Sequence, residues 1–411
     1  MTSKRIMIIG AGPNQLPAIK LAKDKGYKVY VTDFDPNAVG FAMADDHALI
    51  STRDAEATAK AALEFSKSNP IHGVMTMASE SAITVATVAE ALEIPGVSVD
   101  GAIKATNKIK RQISFKEAGI PNARHAKAAD FEEALQVTRE LGWPVVLKPS
   151  DSAGSRGVQL VKDENQLKEA IEEVNRITRD HHFLIEEFLE GSEHSIEGIV
   201  INGEVHWTAF SDRNYDKKYL YFPYFMEDGD TLPTALDDTM LEKVKKVSTQ
   251  AVHSLGIQFG PVKGDILVDK EGPKVIEMAA RLSGDYFCYE TAPLHNGINL
   301  LDLVMKQAMD EEIAASELTP KFNRGVALRY VWPQPGEITS VKGVEEVRAM
   351  DDVRFFKWEP NWNGKIKKGT IIEKPKSMGE RVGAVLVSGT DREAAIALAN
   401  KAINHIEITT S

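Results

Sequence analysis

The sequence predicts an α/β protein that opens with a doubly wound domain and continues into mixed α+β units. The apolar segment 4–12, KRIMIIGAG, is typical of a buried strand that runs into a glycine turn. Strand and helix patterns then alternate as far as residue 99, which indicates a parallel sheet. From residue 325 onward, short strands recur between turn residues, which indicates a compact α+β unit at the end of the chain.

Composition and charge narrow the class of protein. The 411 residues are enough for two or three domains, and 43% hydrophobic with 27% charged residues is ordinary for a soluble globular protein. A net charge of −11 disfavours nonspecific binding to nucleic acid, and no apolar run reaches membrane-spanning length. The N-terminus lacks a signal-peptide layout, and the single cysteine, Cys288, excludes an intramolecular disulfide. We therefore expect a cytoplasmic protein.

The first strand–helix–strand unit has part of a dinucleotide fingerprint. Gly10-Ala11-Gly12 supplies two of its glycines, and Asp33 occupies the position of the ribose-binding acid. Gln15 stands at the third glycine position, and Pro13 follows the second glycine. A bulky glutamine there would spoil close helix–strand packing. We therefore predict a doubly wound domain with a sharp first turn rather than an NAD site.

Periodicity and turn residues place the other elements of this first domain. Helices are expected at 14–26, 54–68 and 80–92, and strands at 28–32, 47–51, 73–77 and 97–99. Residues 101–118 are predicted to be polar and helical, and the turn Gly119-Ile120-Pro121 leads into a new unit.

The second unit contains a strand, a loop of small residues and a second strand. A helix at 131–141 precedes a strand at 145–149, the loop Ser150–Gly157 follows, and the next strand covers 158–161. Small residues leave backbone N–H groups free to approach an anion, although a plain turn is the default for such a loop alone. Lys148 lies immediately before the loop, from where a lysine can reach phosphates.

An apolar strand at 183–189 runs into an acidic turn that ends at Glu193. Adenine needs an apolar slot with a backbone donor and acceptor, and ribose hydroxyls suit a carboxylate. The segment can supply both, although its acids alone would be taken for a solvated edge. The neighbouring elements are a helix at 163–179, a hairpin of strands 194–201 and 204–210, an aromatic stretch at 219–225 for which core packing is favoured over a substrate wall, and a helix at 237–255.

Two acids mark the hairpin within residues 259–285. Asp265 opens its first strand and Glu277 closes its second, so antiparallel pairing would bring them side by side. Neighbouring carboxylates repel each other unless a cation lies between them, and Mg²⁺ is a suitable oxygen-binding cation. A solvated hairpin with two surface acids is the alternative.

The last part of the chain is predicted from the same patterns. Residues 290–312 are expected to be helical with a break at Pro293. Strands are expected at 325–331, 344–348, 353–358, 368–373 and 381–387, followed by a final helix at 390–404.

With these segments in this order along the sequence, the chain resembles the ATP-grasp superfamily over almost its full length. The residues that carry the resemblance are Lys108, Lys148 with the loop after it, Glu186–Leu189, Glu193, Asp265, Glu277 and Arg281. It is most similar to the carboxylate–amine ligase branch, with bacterial L-amino acid ligases, biotin carboxylase and the formate-dependent purine transformylase. The resemblance implies a pre-ATP-grasp domain at 1–104, an ATP-grasp domain at 105–316 with subdomains at 105–185 and 186–316, and a C-terminal α+β domain at 317–411.

The resemblance also implies a nucleotide site and a metal site. The ATP phosphates would be bound by Lys108, Lys148 and the loop residues Ser152, Gly154, Ser155 and Gly157. Adenine would be held by the backbone of Glu186, Glu187, Phe188 and Leu189, and ribose by Glu193. Asp265 and Glu277 would hold one or two Mg²⁺ ions, for which Mn²⁺ could substitute.

Further residues are implied for the substrate side. Arg281 would act with Lys148 on the transferring phosphoryl group, and the N–H groups of Ser283 and Gly284 would face a tetrahedral oxyanion. Arg213, Arg281 and Asp285 would contact substrate, although Arg213 and Asp285 could equally form structural salt bridges.

Two positions depart from the pattern of the family. Asp265 replaces the usual glutamate, and Ala279 stands where an asparagine is usual, so the third metal ligand is absent or replaced.

The implied activity is an ATP-dependent carboxylate–amine ligase. It would form an acylphosphate, join it to an amine, release ADP and phosphate, and use an amino acid as one substrate, as a homodimer. An enzyme that activates formate or bicarbonate is one alternative. A non-catalytic nucleotide-binding protein is another, and Ala279 is the feature that supports it.

Overall fold

The computed structural model of the chain describes residues 3–150, 152, 154–178, 182–217 and 220–411. Four positions named above lie outside these described residues. They are Asp151 and Ala153 of the predicted phosphate loop, Arg179 at the end of a predicted helix, and Tyr219 of the aromatic stretch.

The N-terminal unit is a parallel sheet with helices around it, which confirms the predicted doubly wound domain. Its elements are β1 (Arg5–Ile9), α1 (Leu16–Asp24), β2 (Lys28–Asp33), β3 (Asp46–Leu49), α2 (Ala55–Ser66), β4 (Gly73–Met75), α3 (Ala82–Ala91) and α4 (Val99–Thr106). The strand order is β3-β2-β1-β4. The strand predicted at 97–99 is wrong, because Ser98 caps α4: its Oγ accepts a hydrogen bond from the Gly101 N–H at 3.1 Å.

Gln15 closes the first glycine turn from within. Its Oε1 accepts a hydrogen bond from the Gly12 N–H at 3.1 Å, and its Nε2 donates to the Met77 carbonyl at 2.5 Å. The Asp33 carboxylate accepts the Ala11 N–H at 2.8 Å. The donors and the acid that a dinucleotide would use are therefore engaged within the protein.

The next unit carries a second, antiparallel sheet. Its elements are α5 (Lys108–Glu117), β5 (His125–Ala128), α6 (Phe131–Leu141), β6 (Val145–Pro149), β7 (Gln159–Val161), α7 (Glu164–Val174) and β8 (Phe183–Glu187). The strand order is β5-β8-β6-β7, and α6 and α7 contribute to the apolar core beside it. Asp130 and Asp163 cap these two helices, so α6 begins at the predicted residue 131 and α7 begins one residue after the predicted 163.

The rest of the chain builds one large antiparallel sheet and a small one. The elements are β9 (Ser192–Ile201), β10 (Glu204–Arg213), β11 (Gly229–Leu232), α8 (Asp238–Ser254), β12 (Gly260–Asp269), β13 (Gly272–Ala279), α9 (Ala292–Asn296), α10 (Leu300–Ala308), β14 (Gly325–Val331), β15 (Gly336–Lys342), α11 (Val344–Arg348), β16 (Val353–Trp358), β17 (Ile371–Ile372), β18 (Gly383–Gly389), α12 (Arg392–His405) and β19 (Glu407–Thr410). The large sheet has the order β13-β12-β9-β10-β11-β14-β18-β16, and the small sheet has the order β17-β15-β19.

The large sheet is continuous through the pairing of β11 with β14, from Gly229 opposite Arg329 to Leu232 opposite Val326. Strands on both sides of the predicted boundary at 316 and 317 therefore share one sheet, and the domain limits stay predictions.

Three sequence expectations need correction here. The strand predicted at 344–348 is helix α11, because Val344 and Val347 are both buried and their spacing of three matches a helix face. The helical region at 290–312 breaks at Gly297, whereas Pro293 lies in the first turn of α9, where no backbone donor is needed. The aromatic stretch is divided: Tyr221 and Tyr224 pack in the core, and Phe225 lines a cleft.

The described residues contain no helix long and apolar enough to cross a membrane.

Gly229 tests the junction between β11 and β14. Its φ is +109°, and a Cβ atom there would come 2.0 Å from the Leu328 carbonyl oxygen. We predict that Gly229→Ala lowers the free energy of unfolding by roughly 2–4 kcal/mol, because the strands must separate to fit the methyl group. Gly256→Ala is the matched control: Gly256 has a φ of +73°, and a Cβ atom there would meet nothing within 4 Å. Equal denaturant midpoints for the two variants would contradict the close approach.

Candidate active site

A cleft of about 700 Å³ lies where the three units meet. The antiparallel sheet of β5–β8 forms one wall and one face of the large sheet forms the other. Loops after β1, β3 and β4 close one end with Asn14, Arg53 and Glu80. Ligands of open α/β sheets bind outside the carboxyl ends of the strands, so these loops are well placed to contact a substrate.

All but one of the predicted site residues line this cleft. They are Lys108, Lys148, Ser152, Gly154, Ser155, Glu186, Glu187, Phe188, Leu189, Glu193, Arg213, Asp265, Glu277, Arg281, Ser283, Gly284 and Asp285. Gly157 is the exception. It is buried under the loop with a φ of +73°, and a Cβ atom there would come 2.8 Å from Pro149 Cγ, so a packing role fits it better than a phosphate contact.

Two lysines from different elements line the cleft. Lys148 Nζ lies 2.5 Å from Glu186 Oε2, and Gln112 Nε2 donates to the other oxygen of Glu186 at 3.1 Å. The Glu186 side chain therefore positions Lys148, a role that adds to the backbone contacts with adenine predicted from the resemblance. Gln112 was missed, because nothing in the local sequence of α5 points to β8.

Lys108 joins helix α5 to the loop by donating a hydrogen bond to the Ser152 carbonyl. Ser152 Oγ donates to the Arg156 carbonyl at 2.8 Å, and Gly154 and Ser155 both have positive φ. Burial lowers the pKa of Lys108 to about 8. A phosphate beside it would favour the charged ammonium.

The β12–β13 hairpin brings Asp265 and Glu277 into direct register. The pairing depends on a β-bulge. Starting at the turn, regular pairing runs from Asp269 opposite Gly272 to Ile266 opposite Val275. The next pair is Asp265 opposite Glu277, so Ile276 has no partner on β12. Because directly opposite residues point to the same face, the bulge places both carboxylates on the face that lines the cleft.

Cations surround this acid pair. Lys263 Nζ lies 2.9 Å from Asp265 Oδ2, Arg213 Nη1 lies 3.2 Å from the same oxygen, and Arg111 Nη2 lies 3.9 Å from Glu277 Oε2. Burial alone would raise the pKa of both acids. Lys263 and Arg213 lower the pKa of Asp265 below its ordinary value, and Lys263 and Arg111 do the same for Glu277. Both side chains therefore stay ionised.

Lys263 and Arg111 are site residues that the sequence reasoning missed. Lys263 could have been found, because it lies two residues before Asp265 on the same strand face. Arg111 lies one helical turn after Lys108 on α5, so its place beside Glu277 also had a signal in the spacing.

The acid pair fits Mg²⁺ bound together with a nucleotide. The described residues contain no group of three or more His, Cys, Asp or Glu side chains that could form a metal cage. Magnesium in phosphate-transfer sites is usually held by one or two carboxylates and completed by water and substrate phosphates. Two ionised carboxylates on one face match that donor set.

Arg281 and Ser283 are both engaged by acids. Arg281 Nη2 lies 2.7 Å from Glu80 Oε1, which fixes the guanidinium against the loop after β4. The Ser283 N–H donates to Glu197 Oε1 at 2.6 Å. This bond uses the donor that was predicted to face an oxyanion, so that role does not fit Ser283 in this geometry.

Arg213 and Asp285 both form ion pairs with residues from other segments. Arg213 pairs with Glu227 and Asp265. Asp285 pairs with Arg381, whose Nε also lies 3.2 Å from Glu359 Oε1. The salt-bridged alternative therefore describes both residues as they stand, and their contact with substrate stays a prediction.

Known proteins share this architecture. Residues 141–289 match the ATP-grasp domain, and residues 329–411 match the L-amino acid ligase C-terminal domain 2. The alanine–anticapsin ligase of Bacillus subtilis is 27% identical over 294 residues, which cover 65% of this chain and 59% of that ligase. The chain thus spans less than two thirds of that relative.

Solved structures agree in fold over the whole chain. An L-amino acid ligase from Bacillus licheniformis has a TM-score of 0.80 at 24% identity, with 100% of both chains covered. The biotin carboxylase domain of a Hydrogenobacter thermophilus 2-oxoglutarate carboxylase, in complex with MgADP, has a TM-score of 0.73 at 17% identity, with 100% of this chain and 91% of that chain covered.

Two segments of the chain are therefore assigned to known domains. Residues 141–289 are an ATP-grasp domain, and residues 329–411 are an L-amino acid ligase C-terminal domain.

Glu197 gives the site a measurable pH dependence. It is buried under Ser283, its Oε2 has no hydrogen-bond partner among the described residues, and burial raises its pKa from 4.5 to about 7. As the pH rises from 4.5 to about 7, this carboxyl releases its proton in the unfolded chain but keeps it in the folded chain. The free energy of unfolding therefore falls over this pH range. We compare the free energy of unfolding of Glu197→Gln with that of the wild type. We predict that the difference in favour of the variant is about 2–3 kcal/mol larger at pH 8 than at pH 5. Chemical denaturation at both pH values measures this difference, and parallel pH dependence of the two proteins would rule out a raised pKa.

Proposed function

We propose that the protein is an ATP-dependent carboxylate–amine ligase that uses an amino acid as a substrate. The observation that carries this proposal is the single cleft that brings together Lys108, Lys148, the Asp265–Glu277 pair and Arg281. The matched L-amino acid ligase C-terminal domain supports an amino acid over a one-carbon acid.

Lys108 and Lys148 bind the nucleotide phosphates in this proposal. Both lie on regular elements that line the cleft, and each is already held by a neighbour, Ser152 for Lys108 and Glu186 for Lys148. Preorganised charges of this kind stabilise a phosphoryl transition state without reorganising at the moment of reaction. Phe188 and Phe225 stack with ring centroids 6.3 Å apart at the wall of the cleft, where they offer an apolar surface to adenine.

Asp265 and Glu277 would hold Mg²⁺, which when bound would offset the negative charge of the phosphates. Lys263 lies directly opposite Ala279, the position that lacks the usual amide ligand. An ammonium group beside Asp265 therefore supplies positive charge near that position, and we propose one Mg²⁺ at the pair rather than two.

The proposed reaction has two steps. A carboxylate oxygen of the first substrate attacks the γ-phosphorus of ATP in line, the new O–P bond forms, and the bond to the bridging oxygen of ADP breaks. An amine nitrogen then attacks the acyl carbon, phosphate leaves, and the nitrogen loses a proton. Arg281 faces the charge that develops in both steps, because Glu80 holds its planar guanidinium toward the cleft.

A coupled assay of ADP release over pairs of amino acids tests the proposal. We expect an amino-acid-dependent rate in the wild type and a loss of about 10²–10³ in Glu277→Ala and in Lys148→Met, because each removes one stabilising charge or ligand. Asp269→Asn is the matched control, since Asp269 lies at the hairpin turn, where it pairs with Lys274 at 2.6 Å, and not among the residues lining the cleft.

Other outcomes would decide between the alternatives. Unchanged ADP release by Glu277→Ala would eliminate the metal role. ADP release that requires formate or bicarbonate would identify a one-carbon acid as the substrate. Tight MgATP binding without ADP formation across the whole panel would favour a non-catalytic nucleotide-binding protein. The homodimer and the cytoplasmic location stay predictions, and light scattering tests the first.

A further inference from the structure

Asp230 is a buried carboxylate in the wall of the cleft. Only 5% of the residue is exposed, and it belongs to the residues that line the cavity. Its Oδ1 has no hydrogen-bond partner among the residues that the structure describes. Buried polar atoms in folded proteins nearly always have a partner, so an unpaired carboxylate oxygen at a cleft wall indicates a missing ligand.

The position of Asp230 in the sheet places it on the face that carries the predicted metal site. Asp230 on β11 lies directly opposite Arg213 on β10, so the two side chains share one face of the sheet. Arg213 in turn reaches Asp265 of the predicted metal site at 3.2 Å. Asp230 is therefore the cross-strand neighbour of Arg213, which forms an ion pair with a residue of the predicted metal site.

The nearby cations bond to other acceptors. Arg213 pairs with Glu227 and Asp265. Arg329 donates to three groups other than the Asp230 carboxylate: the Asp230 main-chain oxygen at 3.0 Å, the Leu328 carbonyl at 2.8 Å and Thr231 Oγ1 at 3.1 Å. Glu227 and Asp285 also line this end of the cleft, and they are paired with Arg213 and Arg381.

We propose that Asp230 binds the ammonium group of the substrate whose carboxylate is activated, which selects molecules that carry both an amino group and a carboxylate. This inference rests on the proposed ligase function and names the class of its first substrate. An ammonium paired with a buried carboxylate stays protonated and cannot act as a nucleophile. The pairing therefore suits the amino group of the acyl donor, which must not react, and not the attacking amine.

The ionisation of Asp230 is consistent with this role. Burial, with Glu227 next in effect, raises the pKa of the Asp230 carboxyl well above its ordinary value. Burial therefore disfavours the charged form of the group, and an arriving ammonium would supply an opposite charge that stabilises that form.

Calorimetric titrations in the presence of MgADP test the inference. The probes are L-alanine, L-leucine, L-glutamate and L-lysine, each compared with the acid that lacks its α-amino group: propionate, 4-methylpentanoate, glutarate and 6-aminohexanoate. We expect the tightest-binding amino acid to bind about 10- to 100-fold more tightly than its partner acid, as a charge-assisted hydrogen bond would provide. In Asp230→Asn this ratio should fall to about 1–2, with the affinity for the partner acid unchanged.

Two controls separate binding from folding. MgADP should bind Asp230→Asn as it binds the wild type, which shows that the nucleotide site is intact. Asp269→Asn removes an acid outside the cleft and should keep the wild-type ratio. The ratio in the wild type needs no variant, so the inference stays testable even if Asp230→Asn does not fold.

Different results would reject the inference about Asp230 and the proposed ligase function. Equal binding of amino acids and partner acids by the wild type would overturn the inference, as would no binding of any of the probes. A wild type that forms no ADP from any acid and amine would overturn the ligase proposal, whatever the binding ratio. ADP formation that proceeds equally well with the partner acids would retain the ligase and reject the ammonium site.

Discussion

One unpaired residue in β13, Ile276, determines whether Glu277 faces the cleft beside Asp265. If Ile276 were paired, Asp265 would face Ile276, and Glu277 would lie opposite Gly264 on the other face of the sheet. The bulge at Ile276 shifts the register by one residue and returns both acids to the same side. The proposed metal site depends on this shift, because Glu277 then shares one face with Asp265, Lys263 and Arg213.

Charge balance is the second constraint, because the cleft buries many ionised groups at once. Lys148 is held by Glu186, Asp265 by Lys263 and Arg213, and Arg281 by Glu80. The C-terminal part completes the balance at the substrate end, where Arg381 pairs with Asp285. That part also supplies strands to the large sheet and lines the cleft at 377–379, so it belongs to the site.

Local patterns predicted the fold well, and long-range contacts explain most of what they missed. The helix at 131–141 and the strands at 145–149, 325–331 and 353–358 have the expected bounds. The pairing of Asp265 with Glu277 was also predictable, although the bulge that produces it was not. The partners of Arg281 and Asp285, namely Glu80 and Arg381, lie 201 and 96 residues away in the chain, beyond the reach of any periodicity. Asp230 was missed because an aspartate in a short strand has no distinguishing neighbour in sequence.

The central claim is that this cleft transfers the γ-phosphoryl group of ATP to a substrate carboxylate. Labelling both carboxylate oxygens of the acyl-donor amino acid with ¹⁸O, and analysing the released phosphate by mass spectrometry, tests it most directly. An acylphosphate intermediate requires that each phosphate released with ADP carry one ¹⁸O from the carboxylate. Phosphate without the label, formed at the same rate as ADP, would show that water and not the carboxylate receives the phosphoryl group, and would contradict the account.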